Sequence, residues 1–212
     1  MKSITSGVPR RLGALGVLAA LSLLASGAQA QRVGGSGFGS SVRALGITTS
    51  SPVATLSDAG GYAIGDAQTF GVSNILQARW LTAVTTGSVS DATEPASAQT
   101  TSEVESVNIL NGLVRADNVT AIASSFANAA GAGSNADGSG FVNLVVNGTP
   151  ISANVAPNTR IDIPFVGYVA LNEQTRTGDG VTSSGIEVRM IRVRLLSGTE
   201  VVVGSASSSA SR

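Results

Sequence analysis

Beyond its first thirty residues the chain contains no histidine, no cysteine and no lysine. Without imidazole there is no histidine general base and no histidine metal ligand. Without thiol or amine there is no cysteine nucleophile, disulfide, Schiff base or lysine-assisted serine. Aromatic residues make up 4% and charged residues 12% of the sequence, so neither a stacking surface nor a charged field dominates it. The same stretch keeps ten arginines against thirteen carboxylates, a net charge of −3. That balance gives no electrostatic case for nucleic acid or anionic lipid. These absences point to a non-enzymatic protein with no cofactor and no metal.

What is present begins with the three parts of a secretory signal. Lys2, Arg10 and Arg11 form a positive n-region, and Ala14 to Ala25 an apolar h-region too short for a typical membrane-spanning helix. Ala28-Gln29-Ala30 places small residues where a signal peptidase reads, so cleavage is expected between Ala30 and Gln31. No lipid-anchoring cysteine follows. Leu12-Gly13 after the arginine pair does not fit twin-arginine export, leaving ordinary secretion. No integral membrane segment is expected in the mature chain, and Ser205 to Arg212 reads as a flexible polar tail without a sorting segment. With no disulfide, an exported chain of this size must be stabilised by burial alone.

Small and β-branched residues with scattered glycine favour strands and turns over long helices. Residues 31–101 read as a β-rich, partly flexible region continuous with a β core over 102–204. Asn111-Gly112 between two apolar runs predicts a hairpin that sets Ile109 against Val114, Asn108 against Arg115 and Val107 against Ala116. Asn147-Gly148 predicts a second, from Phe141 to Val155, with Pro150 marking an edge strand or irregular return. The two units share a short Val-Asn-Ile/Leu echo, weak support for a repeat. Ile161, Ile163, Phe165, Gly167, Val169 and Leu171 alternate, as a strand pair or one bent strand would. Ile186, Val188 and Met190 alternate until Ile191 breaks phase, which predicts a β-bulge. Val201 to Val203 reads as a short buried closing strand. Upstream, Val42 to Ile47, Ala67 to Val72 and Ile75 to Val84 are strand candidates, the last with a helical alternative. Ser88 to Thr101 and Asn128 to Gly140 read as mobile loops.

Phe141 to Ile151, Ala156-Pro157-Asn158-Thr159 and Val169-Ala170-Leu171-Asn172-Glu173-Gln174, with Asn111 to Asp117 and Glu200 to Ser205, resemble the choice-of-anchor P family of bacterial exported proteins. The resemblance implies a secreted, β-rich ectodomain whose members differ in their C-terminal tether. The Ser/Ala end of this chain departs from that pattern. No catalytic residues come with the family.

Five side chains are candidate binding residues: Asn172, Glu173 and Gln174, which follow a buried run, and Arg192 and Arg194, which share a face beside Arg189 and Glu187. Plainer readings are that the first group satisfies backbone as its strand ends and that the arginines are a wet sheet face. Asp162 and Glu173 form a carboxylate pair of the kind glycosidases use, provided the chain folds back near Gly167. Tyr62, Trp80 and Tyr168 are the aromatic side chains with a polar handle that a sugar cleft would want. Asp137-Gly138 and Asp179-Gly180 each supply one carboxylate to a Gly/Ser loop, which suits a turn better than a Ca²⁺ site. Asn118-Val119-Thr120 and Asn147-Gly148-Thr149 match a glycosylation pattern that is incidental in a chain of bacterial type.

The expected fold is all-β, a mainly antiparallel β-sandwich of short strands and hairpins, with a β-solenoid as the alternative. The expected function is contact-based, matrix- or adhesion-like, with an envelope or matrix component as partner. The competing reading is a carbohydrate-binding module or hydrolase.

Overall fold

The computed structural model describes residues 31–89 and 95–212. The proposed signal and its Ala30 cleavage residue lie outside them, and Gln31 is the first described residue. Alternating small, β-branched and polar residues fold into two antiparallel sheets packed face to face, the expected sandwich rather than a solenoid. The first sheet has the order β11 (Thr159–Ile163), β12 (Gly167–Thr177), β13 (Ser183–Leu195), β14 (Glu200–Ser211), β1 (Arg32–Ala44), β2 (Ile47–Thr55). The second runs β10 (Thr149–Pro150), β9 (Val145–Val146), β6 (Val114–Asn128), β5 (Ala96–Ile109), β4 (Leu76–Ser88), β3 (Gly60–Val72). Two further short strands, β7 (Gly131–Asn135) and β8 (Gly140–Val142), pair with the same side of β6.

Both Asn-Gly signals make hairpins. The first has the predicted register, with Val107, Asn108 and Ile109 opposite Ala116, Arg115 and Val114. The second turns through Asn147 (φ 48°) and Gly148 (φ 78°), but its return arm pairs only at Thr149 and Pro150, at the sheet edge. The alternation from Ile161 to Leu171 is a strand pair, and Phe165 falls in its turn at φ 62°, exposed instead of inward.

Several expectations are corrected. Residues 205–212 are not a flexible tail: Ser205 to Ser211 completes β14, which lies between β13 and β1 with Ala206, Ser208 and Ala210 buried. The stretch after residue 31 is not loose either, since β1 lies in the interior of the first sheet. Leu76 to Val84 is strand, with Ile75 in the turn before it, residues 96–101 belong to β5, and β7 lies within the expected Asn128–Gly140 loop. Residues 90–94 of the other expected loop lie outside the described residues.

The phase break at Met190 and Ile191 is real, as both are buried, yet it is not a one-residue bulge. The register on either side of Met190 is unchanged against β12 and against β14. Instead a crease crosses the first sheet through Asn172, Met190, Gly204, Gly39 and Pro52, at each of which the ladder skips a pair. Side-chain parity inverts there together: Val201 and Val203 face in before it, Ala206, Ser208 and Ala210 after it. Asn172 (φ 51°) and Gly204 (φ 66°) take the left-handed conformation that performs the switch. At Gly204 a Cβ would also stand 2.9 Å from Val119 on the opposite sheet, so glycine meets two demands.

The second sheet is creased likewise through Gln68, Trp80, Ser106, Asp117 and Asn143, with Trp80 (φ 49°), Ser106 (φ 54°) and Asn143 (φ 52°) left-handed. Here β4 and β5 do shift register around Arg79. Asn143 donates its Nδ2 to Asp117 Oδ2 at 2.7 Å, tying the crease to the edge.

The creases separate two kinds of interior. One end is aliphatic, with Leu76, Ile109, Val114, Leu171, Ile191 and Val193 buried. The other brings the sheets together over glycine, alanine and hydroxyls. Ser125 Oγ meets Ser208 Oγ at 2.7 Å, and Thr85 Oγ1 meets Thr100 Oγ1 at 2.8 Å. Because each buried hydroxyl is the other's partner, Thr85→Val alone is expected to cost about 1–3 kcal/mol by stranding Thr100. The double variant Thr85→Val with Thr100→Val should return to within about 1 kcal/mol of the parent, as both polar groups are then gone. Urea unfolding of the three proteins checks this, and additive losses would refute the pairing.

Candidate functional site

The sequence candidates divide across the two faces of β12. Asn172 and Gln174 turn toward the 152–158 segment. Asn172 donates its Nδ2 to the Val155 carbonyl at 2.9 Å and accepts through its own carbonyl from the Asn158 N–H at 2.8 Å. Gln174 donates its backbone N–H to Asn158 Oδ1 at 2.9 Å and its Nε2 to Asn172 Oδ1 at 3.0 Å. These side chains pin a non-strand segment, as the plainer reading has it.

Glu173 faces outward, 3.1 Å from Arg192 Nη2, which also donates to the Tyr168 hydroxyl at 3.0 Å. Arg160 stacks 3.9 Å from the Tyr168 ring centroid and pairs with Asp162 at 2.7 Å. Arg194 pairs with Glu200 at 3.3 Å and Arg189 with Glu187 at 2.7 Å. Each of these four arginines thus has its own carboxylate, so an acidic polymer would have to displace those contacts. The Arg160–Asp162 pair is exposed and contributes only about 0–1 kcal/mol to stability, whereas the Arg192–Glu173 pair is largely covered, its side chains 21% and 23% exposed.

Asp162 and Glu173 are not brought together. Asp162 is opposite Tyr168, and Glu173 lies five residues further along β12, about 17 Å at the strand rise. Glycosidase carboxylates stand about 5–9.5 Å apart. Asp179 closes the β12–β13 turn: its carboxylate accepts the Thr182 hydroxyl at 2.6 Å and the N–H groups of Val181, Thr182 and Ser183 at 2.8–2.9 Å. The Thr182 hydroxyl first, then those N–H groups, hold the carboxyl well below the usual carboxylate range. Its oxygens serve the turn. Asp137 likewise sits in a turn, its N–H donating to Asn135 Oδ1 at 3.1 Å. Asn118 lies within β6, donating to Glu103 Oε1 at 2.7 Å.

A surface that the sequence did not assemble is the outer face of the second sheet. Tyr62 on β3, Trp80 on β4 and Phe126 on β6 are 79%, 58% and 44% exposed. Their strand neighbours Leu81, Ser125 and Ala127 face the interior, which leaves Trp80 and Phe126 outside. Tyr62 heads an outward row with Thr86, Gln99 and Ser124, adjacent to the buried row of Thr85, Thr100 and Ala123. A trough of about 520 Å³ runs beside Phe126 over Thr86, Ser97, Gln99 and Ser124. A second hollow of about 220 Å³ lies at Trp80 among Asp66, Gln68, Thr82, Glu103 and Glu105. The Gly61, Ala63, Gly65, Ala67 alternation opposite Tyr62, Ile64, Asp66 and Gln68 was the available signal for β3. It is weak because the inward members are so small.

A family model described as a domain of unknown function, DUF8256, matches residues 26–178. No curated protein and no solved structure matches the chain. The matched span stops within the first sheet, before β13 and β14. It nevertheless takes in most of the chain, all of the second sheet and the whole aromatic face, and on that match the protein belongs to the DUF8256 family.

Proposed function

We propose that this protein is an exported, non-enzymatic component of the cell exterior or envelope that works by surface contact, using the outer face of the second sheet. The observation that carries the reading is the placing of Tyr62, Trp80 and Phe126 on one solvent-facing sheet surface, with Phe126 and Trp80 each lining a shallow hollow. Large aromatic side chains left in water on a rigid scaffold are characteristic of contact surfaces. The signal-like start, with Lys2, Arg10, Arg11 and Ala28-Gln29-Ala30, and the resemblance to choice-of-anchor P proteins support export.

A polysaccharide is the ligand class favoured by the Trp80 hollow. An indole face suits the C–H face of a pyranose, while Asp66, Gln68, Thr82 and Glu103 offer acceptors and donors for ring hydroxyls. Fractionating the native host into medium, periplasm and washed envelope tests the proposal. The protein is expected with the envelope, and Trp80→Ala with Tyr62→Ala should release about tenfold or more of it into the soluble fractions. Parent protein recovered entirely soluble, or retention indifferent to both substitutions, would defeat the reading. Retention on purified envelope polysaccharide, lost in the same variant, would assign the ligand class.

A further inference from the structure

The two sheets have four sides, and three are interrupted. β11 is five residues long and stops before Pro164. β2 carries Pro52 in its middle. The far side of β6 is divided among β7, β8 and the β9–β10 pair, whose edge holds Pro150. Short strands and prolines are the usual means of stopping a sheet from pairing with another chain. β3 has neither protection. It runs thirteen residues from Gly60 to Val72 without a proline, and Asp66 is its single charge. Among the described residues it pairs with β4 alone, so alternate residues turn their N–H and C=O groups away from the sheet. β2 does not fill that side. It lies under the inner face, where a Cβ at Gly65 would stand 2.8 Å from the Val53 carbonyl oxygen.

We propose that the β3 edge is a dimer interface, with β3 of a second copy of this chain added antiparallel about a two-fold axis at Ile64. The occupant follows from the side chains. In that register Ile64, 62% exposed, meets its own symmetry mate on the outer face. Tyr62 of each copy meets Asp66 of the other, a phenolic donor against a carboxylate acceptor. On the inner face Ala63 meets Gly65 and Gly61 meets Ala67, which gives no steric conflict. No like charges are opposed, and one isologous patch serves both copies. The dimer makes the second sheets continuous and sets both aromatic faces on the same side. The interface stands on the edge geometry and does not depend on the proposed function.

The absence of cysteine makes the test clean. Facing residues of an antiparallel pair have Cα atoms about 4.5–5.5 Å apart, within disulfide range. The purified Ile64→Cys protein should form a covalent dimer under mild oxidation, much faster than an Ile47→Cys control at an equally open position on β2. By sedimentation the unmodified protein should be a dimer, and Ile64→Lys should raise its dissociation constant about tenfold or more while leaving the fold intact by circular dichroism. A monomeric parent, equal cross-linking of the two cysteine variants, or a dimer unchanged by Ile64→Lys would each overturn the proposal.

Discussion

Deleting residues 205–212 is expected to abolish folding. These residues look dispensable in composition, but Ser205 to Ser211 pairs with β13 from Ser183 to Arg189 and with β1 from Arg32 to Phe38. Their loss would strand both neighbouring ladders, opening a gap in the interior of the first sheet. It would also uncover Ser125, whose hydroxyl meets that of Ser208, and Ala127, which shares a buried cluster with Ala210. A domain of this kind has about 5–15 kcal/mol of total stability, and losing half of a central strand exceeds that margin. The truncated protein should be insoluble, or show neither native circular dichroism nor a cooperative urea transition. A truncated chain that melts like the parent would mean that this half of β14 contributes nothing to the fold.

The largest single-residue effect is expected at Gly167. It opens β12 at φ 145°, and a Cβ there would run into the Arg194 carbonyl oxygen, with the Arg194 carbon at 2.9 Å and Leu195 Cα at 3.0 Å. All three are backbone of the paired strand, held by the Gly167–Leu195 register, and cannot swing aside as a side chain would. Gly167→Ala therefore adds backbone strain to a collision, for a loss of about 4 kcal/mol. In a domain of this size that corresponds to a fall of about 8–16 °C in Tm. Gly148→Ala is the matched control. Gly148 is also left-handed, at φ 78°, but a Cβ there meets nothing within 4 Å, so only a strain of about 1–2 kcal/mol remains. Equal losses at the two positions would show that conformation alone, and not the close approach of β13, sets the requirement at Gly167.

What was legible in the sequence was what large or conformationally special residues announce. Asn111-Gly112 and Asn147-Gly148 fixed two turns, and the first also fixed a register, because positive φ at a two-residue turn leaves few alternatives. The parity break at Met190 was visible too, but one strand cannot reveal that its neighbours break with it. The Gly60–Asp66 half of β3 and the Ser205–Ser211 half of β14 escaped notice for a shared reason. Their inward positions are alanine, serine and glycine, buried by the closeness of the opposite sheet and not by hydrophobic size. The candidate site followed the same division. Glu173, Arg192 and Arg194 were recognisable singly, while the pairing of Arg192 with Glu173 depends on the β12–β13 register. Tyr62 and Trp80 reach one face only through the β3–β4 hairpin that turns at Asn74, φ 60°.

The paired creases bear on how chains of this architecture can change length. Where neighbouring long strands cross a crease at matched positions, removing a residue from one strand turns that strand inside out beyond the crossing while its neighbours stay as they were. Repair would need a matching deletion in each adjoining strand. Insertions and deletions among relatives should therefore collect in the turns, such as those at Gly46, Asn74 and Gly198, and stay out of the strands, giving a family whose strand lengths hold constant while its sequences drift.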